Sequence, residues 1–150
     1  MKRKCKANDK DTIKEDLKRD KAVRPKQIFT MEMPIPISVN HMYYNTKYGG
    51  KRLNAKAQKF FDEQRKRTYH AVHEQGWELE MGDVWFELHC DFYMPDKRIR
   101  DTHNTFKIML DVLQGIVFKN DYFVKPHVDK VELDKESPRV VIKVFPEKFN

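Results

Sequence analysis

Alternating apolar and polar residues predict strands in several parts of the chain. The first segment is Ile28–Met33, which ends at Pro34, where the missing backbone N–H would interrupt a strand ladder. Val84–Tyr93 and Arg139–Phe145 alternate in the same way, so that each presents an apolar face and a second face. A shorter pairing segment is expected near Val128–Leu133. These patterns predict one small sheet.

Helical spacing predicts two helices between the strands, each with start and stop signals. The first follows Asn54, a favourable N-cap, and ends at Gly76. The second runs from about Thr102 to Gln114. The segment Ser38–Arg52 is polar and rich in tyrosine, which is typical of a loop or a hairpin. The order of elements is therefore strand, helix, strand, helix, strand, without an internal repeat.

Composition adds a charged N-terminal tail to this picture. A chain of 150 residues suits a single domain with its own core. The net charge is +7, but residues 1–26 hold eleven Lys or Arg and five Asp or Glu, which accounts for +6 of it. Large aliphatic residues are sparse there, so we predict that residues 1–26 are disordered and that residues 27–150 form the domain.

Cysteine usage and hydropathy point to the cytoplasm. The two cysteines, Cys5 and Cys90, cannot form a disulfide framework, and Cys90 suits a buried position in a strand. No apolar run approaches the roughly 18 residues of a membrane span, and no signal peptide pattern is present. We therefore expect a cytoplasmic protein without a membrane partner.

The second predicted helix carries an unusual set of polar residues. At ideal helical spacing, His103, Asn104, Lys107 and Asp111 fall on one arc, while the rest of the circumference is mostly apolar. Such a helix is expected to be largely buried, with a single polar strip lining a cleft. Asp101 precedes its first turn, where a carboxylate is favoured by the helix dipole.

Two interpretations of this polar strip are open. In the first, Asp101 caps the helix, Lys107 pairs with Asp111, and Asn104 bonds to the neighbouring backbone. In the second, Asp121 returns from the following turn to lie beside Asp101. Carboxylates with a lysine at a cleft are the parts of a metal-dependent phosphodiester hydrolase, in which acids hold Mg²⁺ and the lysine meets charge on phosphate.

Two blocks of the sequence resemble the RusA family of Holliday-junction resolvases. Pro34–Tyr43 is similar to a proline-rich stretch followed by S-x-N and an aromatic residue. Arg100–Gly115 resembles the pattern R-D-x-D-N-x-x-K-x-x-x-D-x-L-x-G, and Asn120 with Asp121 stands where the family has a pair of acids. The likeness extends over about Ile28–Phe145.

This resemblance implies an α+β domain with a small sheet and two main helices. It also implies a homodimer that cuts four-way DNA junctions with Mg²⁺ during recombination and repair, and a small resolvase of this kind fits a phage or prophage. Carried over by position, Asp101 and Asp121 match metal-binding acids and Lys107 matches the catalytic lysine. Asn104 and Asp111 match positions that we expect to support the site.

The chain departs from the family pattern at His103, which replaces the second acid, and at Asn120. Imidazole suits Mn²⁺ or Zn²⁺ better than Mg²⁺, so one interpretation is a working site in which His103 is a metal ligand and Mn²⁺ is favoured. In a second interpretation Asp101 and Asp121 suffice, or Asp111 helps. In a third, the site binds DNA but cuts poorly. A ligating histidine predicts that activity falls below about pH 6.5.

Basic residues near this site suggest contact with the phosphate backbone of DNA. The predicted DNA-binding residues are Lys47, Lys51, Arg52, Lys56, Lys59, Arg98 and Arg100. An ordinary solvated face is the alternative for them, and it is equally consistent with Arg65–Arg67 on the first helix. The other histidines, including His89 and His127, show no ligand spacing along the chain, so we assign them structural or surface roles.

Two hypotheses of function follow from these residues and the resemblance. The first is a junction-resolving endonuclease, indicated by Asp101, Lys107 and Asp121 together. The second is a catalytically weakened module that binds structured nucleic acid, in which the acids only stabilise the helix end.

Overall fold

The computed structural model describes residues 28–147, so the predicted N-terminal tail lies outside the described residues. The strands are Phe29–Met33 (β1), Tyr43–Asn45 (β2), Lys51–Leu53 (β3), Phe86–Met94 (β4), Val124–Leu133 (β5) and Arg139–Pro146 (β6). The helices are Ala55–Gln75 (α1) and Phe106–Leu113 (α2). Three short 3-10 turns lie at Val39–His41, Thr102–Thr105 and Asp121–Phe123.

Four of the strands form the main sheet, in the order β1, β6, β4, β5. Strand β6 pairs antiparallel with both β1 and β4, whereas β4 and β5 are parallel. A parallel pair needs a long connection, and α2 lies within it. Strands β2 and β3 form a separate antiparallel hairpin. The expected α+β fold with a small sheet and two main helices is confirmed.

The inner face of the main sheet provides most of the core. Every second residue of β4, from Phe86 to Met94, is buried, and the residues between them are half-buried on the outer face. The inner residues pack with α2 side chains such as Met109 and Leu113, which are fully buried. Burial of each large side chain stabilises the fold by roughly 1.5–3 kcal/mol. This alternation therefore determines which face of β4 packs in the core and which face points outward.

The first helix has the ends that its sequence predicts. The Asn54 side chain accepts a hydrogen bond of 2.9 Å from the N–H of Ala57. At the other end Gly76 adopts φ 61°, a left-handed conformation that glycine tolerates best. The same Asn54 donates through Nδ2 to the carbonyl of His41 at 2.6 Å, which joins the start of α1 to the preceding motif block.

The second helix differs from its prediction at its N-terminal end. Residues Thr102–Thr105 form a 3-10 turn, and the α-helix begins only at Phe106. Asp101 accepts from the N–H of His103 and the Thr105 hydroxyl donates to the Thr102 carbonyl at 2.6 Å, and such local bonds favour the tighter turn. The arc drawn at ideal α-helical spacing is therefore wrong for His103 and Asn104.

Strand β5 is longer than the predicted pairing segment. It begins at Val124, although Pro126 lies within it. Proline is tolerated on an edge strand because one side of that strand has no partner to bond, and β5 is at the edge of the sheet. This extension has a chemical consequence, since it brings His127 into register with β4.

Candidate active site

The two blocks that carry the motifs lie side by side. The 3-10 turn Val39–His41 from the first block is adjacent to the turn Thr102–Thr105 from the second. Beneath them Met42, Ala57 and Ile108 form a fully buried cluster. One side chain from the loop, one from α1 and one from α2 therefore hold the hairpin against the second helix.

Asp101 and His103 occupy the turn that leads into α2. Asp101 Oδ1 accepts a hydrogen bond of 3.0 Å from the His103 backbone N–H, so Asp101 caps the 3-10 turn and not the α-helix that it was expected to cap. The same oxygen lies 3.6 Å from His103 Nδ1. Both side chains are largely exposed, at 60% for Asp101 and 77% for His103, which leaves them free to rotate toward a ligand.

Lys107 lies one turn further along and has a carboxylate partner. Its Nζ donates to Asp111 Oδ1 at 2.9 Å, as an i, i+4 pair. The hydrogen bond to Asp111 raises the pKa of Lys107, and weaker electrostatic contributions come from Tyr43 and Asp121, while partial burial opposes the shift. The Lys107 cation is therefore stabilised mainly by Asp111, and it also interacts weakly with Asp121 and with the hairpin residue Tyr43.

Asp121 begins the turn that follows α2. Its backbone N–H donates to Gln114 Oε1 at 3.1 Å, which ties the turn to the end of the helix. Asn120 caps the turn by accepting from the Tyr122 N–H at 2.9 Å. The residue that departs from the acidic pair of the family thus has a structural role here.

The predicted metal ligands are not gathered around one point. Within residues 28–147, only Glu87, His89 and His127 form a set of three potential ligands whose atoms all lie within 4.8 Å of one another. Asp101, His103 and Asp121 form no such set. Their donor chemistry, two carboxylates and an imidazole, nevertheless suits a divalent cation. The exposed side chains of Asp101 and His103 could approach it by rotation.

The predicted DNA-binding residues fall into three groups. Lys47, Lys51 and Arg52 are exposed on the β2–β3 hairpin. Lys56 and Lys59 are exposed on the first turns of α1, where Lys59 lies 3.9 Å from Glu63. Arg98 and Arg100 precede the Asp101 turn. All seven residues are exposed, so the structure is compatible with their contacting a phosphate backbone.

Arg100 is already paired with a carboxylate. Its two terminal nitrogens donate to Asp96 at 2.6 and 3.0 Å, a bidentate pair. This hydrogen bonding, with help from the Arg98 backbone N–H, lowers the pKa of Asp96 to about 2. Arg98 is more exposed, with its Nε 4.0 Å from the same carboxylate. A DNA contact by Arg100 would have to compete with Asp96.

Arg65 has a structural partner that the sequence did not reveal. Its guanidinium donates to the backbone carbonyls of Asp111, Val112 and Gln114, the last at 2.8 Å. These carbonyls belong to the last turn of α2, where a cation is favoured by the helix dipole. Arg65 therefore caps α2, a role that neither open interpretation, DNA contact or solvated face, included.

The Glu87, His89 and His127 set was missed from sequence. On each strand the polar residues are two apart, as Glu87-Leu88-His89 and His127-Val128-Asp129, which directs them to one face. That spacing is a weak signal on its own, and it becomes informative only when β4 and β5 are known to be neighbours. The expectation that His89 and His127 have no ligand arrangement is corrected by their register.

Carboxylates, a lysine and a basic hairpin on one α+β domain define a candidate phosphodiester hydrolase of nucleic acids. A family model described as endodeoxyribonuclease RusA matches residues 10–145. Because the match covers most of the chain, the protein belongs to the RusA family of endodeoxyribonucleases. The match begins earlier than the likeness seen in the two blocks, within the predicted tail. No curated protein matches the chain at a significant level.

A helix that crosses a membrane needs about 20 mostly apolar residues. Neither α1 nor α2 has the length and apolar character that crossing a membrane requires.

Proposed function

We propose that this protein is a metal-dependent endonuclease that resolves Holliday junctions by paired, symmetric phosphodiester hydrolysis in recombination and repair. The observation that carries the proposal is the Lys107–Asp111 ion pair, with 2.9 Å between Nζ and Oδ1, in the helix that directly follows the turn capped by Asp101. Membership of a family of endodeoxyribonucleases supports the same reaction.

In this proposal each residue near α2 has a distinct task. Asp101 and Asp121, with His103, would hold a divalent cation, which when bound lowers the pKa of a water molecule and offsets phosphate charge. Lys107 is a cation at neutral pH, as lysine ordinarily is, and the hydrogen bond to Asp111 raises its pKa further. It can therefore stabilise charge that develops on a phosphate oxygen. Asp111 positions that ammonium, and Asn104 supports the turn.

Histidine in place of the second family acid affects the choice of metal. Mg²⁺ is coordinated almost entirely by oxygen, whereas Mn²⁺ accepts imidazole more readily. We therefore expect activity with both ions and a relative preference for Mn²⁺. A ligating His103 also makes the activity fall in acid, because an imidazolium cannot bind a metal.

The substrate proposal rests on symmetry and charge. A four-way junction presents two equivalent strands, and a homodimer presents two equivalent sites related by a two-fold axis. Exposed Lys47, Lys51 and Arg52 on the hairpin provide cations for the phosphate backbone close to the site. We propose that this hairpin, together with Lys56 and Lys59 on α1, contacts the junction arms.

A second candidate function is a module that binds structured DNA and cuts it weakly or not at all. It is favoured by the replacement of the second family acid by His103 and by the separation of Asp101, His103 and Asp121. In that case Asp101 only caps its turn, and Asp111 only pairs with Lys107. The two functions share the hairpin contacts and differ in cleavage alone.

Cleavage of a labelled four-way junction separates the two. The protein is incubated with the junction or with linear duplex of the same sequence, in Mg²⁺ or Mn²⁺, and compared with Asp101→Asn. We expect symmetric nicks on the junction, dependent on the metal and reduced at least about 100-fold in the variant. Asp83→Asn, which changes an exposed carboxylate near Lys119, is the matched control and should cut normally.

Binding without nicks in either metal would support the module instead. Equal cutting by Asp101→Asn and the unaltered chain would contradict the assignment of Asp101. Junction affinity measured in Ca²⁺, which supports binding by many metal sites without hydrolysis, checks that the variant still folds and binds. A sedimentation measurement of the same samples tests the homodimer.

A further inference from the structure

The outer face of the main sheet carries a group of side chains that the proposed nuclease chemistry does not use. Parallel pairing of β4 and β5 places His89 directly opposite His127, on the same face as Glu87. One nitrogen or oxygen of each of these three residues lies within 4.8 Å of the others. The Glu87 and His89 side chains are only 29% and 23% exposed, so the strands hold them in place.

The distances between these atoms are close to those of a metal site. His89 Nε2 lies 3.5 Å from Glu87 Oε2, and His127 Nε2 lies 4.0 Å from Glu87 Oε1. Zinc binds such atoms at about 2.0–2.2 Å, which places neighbouring ligand atoms of a tetrahedral ion roughly 3.5 Å apart. Glu87 and His89 already meet this spacing. His127, which is 43% exposed, has to turn its ring out of the stack with His89, because an imidazole binds a metal in the plane of its own ring.

Asp129 supports the orientation that His89 would need. The pairing register shifts between Cys90 and Asp91, so Asp129 is the extra residue of a β-bulge in β5. Its two carboxylate oxygens lie 2.9 and 2.8 Å from His89 Nδ1. A carboxylate that accepts from Nδ1–H leaves the Nε2 lone pair available to an ion, as in the outer shell of many histidine metal sites.

Stacking sets the orientation of the rings before an ion binds. His89 lies between His127, with ring centroids 4.6 Å apart, and Phe145, with centroids 5.2 Å apart. The simpler alternative is an ion-pair network of protonated histidines, but two stacked imidazolium rings would repel each other. Lys143, the β6 partner of His89, adds a further positive charge on this face, which Glu87 and Asp129 offset.

We propose that Glu87, His89 and His127 bind an imidazole-preferring divalent ion of the Zn²⁺ or Co²⁺ type, with Asp129 as a positioning residue. Two imidazoles and one carboxylate favour such ions over Mg²⁺. Three protein ligands leave a fourth position for water or another small oxygen ligand. This site is on the opposite side of the sheet from α2, and it does not depend on the proposed nuclease reaction.

Metal titration of the full chain tests the site. The chain carrying Asp101→Asn and Asp121→Asn, which disable the candidate active site, is stripped with chelator and titrated with Co²⁺ while its visible absorption is recorded. We expect one equivalent with the absorption of a four-coordinate ion, displaced by Zn²⁺ and retained in millimolar Mg²⁺. Adding His127→Gln should weaken Co²⁺ binding at least about 100-fold, since an inner ligand is lost.

Two further variants sharpen the result. Asp129→Asn should weaken binding about 10- to 100-fold while leaving the absorption spectrum of bound Co²⁺ in place, because it removes an orienting group and not a ligand. His70→Gln, which removes an exposed histidine from α1, is the control and should bind normally. Junction cleavage by His127→Gln alone should be unchanged in Mg²⁺, which separates this site from the proposed nuclease.

Several outcomes would overturn the proposal. One is that Co²⁺ does not bind stoichiometrically, and another is that the His127→Gln variant binds Co²⁺ as tightly as before. NMR of the chain with native His89 and His127 guards against misfolded variants, because Zn²⁺ should perturb the imidazole resonances of both residues. If neither resonance responds to one equivalent of Zn²⁺, the cluster is an ion-pair network only.

Discussion

The candidate active site and the outer-face cluster both combine histidine with carboxylates, but different parts of the fold present them. Asp101 and His103 lie on a 3-10 turn with largely exposed side chains, and Asp121 begins another turn. Glu87, His89 and His127 lie on paired strands, where the register fixes their spacing. Side chains on turns can adjust when a ligand binds, whereas side chains on paired strands are positioned more closely beforehand.

The largest expected effect distinguishes the two regions by activity. Lys107→Met removes the cation proposed to stabilise phosphate charge, and we expect junction cleavage to fall about 10²–10³-fold. His127→Gln, on the outer face, should change the same rate less than about twofold. Single-turnover cleavage in saturating Mg²⁺ measures both rates, and a Lys107→Met variant that cuts at the original rate would remove Lys107 from the proposed mechanism.

A second test concerns the support of α2. Arg65→Ala removes three hydrogen bonds to carbonyls at the end of that helix, and we expect a loss of about 2 kcal/mol in the free energy of unfolding. Lys66→Ala, at the exposed neighbouring position, is the matched control and should change stability by less than about 0.5 kcal/mol. Chemical denaturation measures both values.

The opposite pattern would assign a different role to Arg65. If Arg65→Ala left stability unchanged but weakened junction binding as much as Lys51→Ala does, Arg65 would be a DNA contact and its bonds to the α2 carbonyls would be incidental.

Much of the fold could be predicted from local sequence. Alternation in Val84–Tyr93 identified the strand and its buried face, and Asn54 and Gly76 identified both ends of α1. Strand β5 was predicted too short because Pro126 is a local signal against pairing, and only its place at the sheet edge makes that proline acceptable. Position within a sheet depends on distant residues, so local patterns cannot supply it.

In the candidate sites, too, features set by local spacing could be predicted and features set by distant residues could not. The cap by Asp101 and the Lys107–Asp111 pair follow from spacing within one segment, and both are observed. The 3-10 turn at Thr102–Thr105 was missed because its side-chain hydrogen bonds compete with helical geometry. The outer-face cluster was missed because it exists only when two strands about 40 residues apart pair in parallel with His89 opposite His127.

A third test replaces the histidine that most separates this chain from its family pattern. His103→Asp supplies an oxygen ligand and a negative charge, so we expect the ratio of Mg²⁺-supported to Mn²⁺-supported cleavage to rise about tenfold. The loss of activity in acid should also weaken. The outer-face cluster retains its histidines in this variant, so its Co²⁺ binding should not change. An unaltered metal ratio would indicate that His103 is not a ligand.

The smallest expected effect concerns Asp96, which is paired with Arg100 just before the Asp101 turn. Hydrogen bonds from Arg100 lower the pKa of Asp96 to about 2, below its usual value of 3.8. A carboxyl with a lowered folded-state pKa contributes stability above about pH 4, and this contribution is lost as the pH falls toward 2. The difference in unfolding free energy between the unaltered chain and Asp96→Asn should therefore be present at pH 6 and shrink between pH 4 and pH 2. A difference that is constant over this range would show that the ion pair between Asp96 and Arg100 does not contribute to the free energy of unfolding.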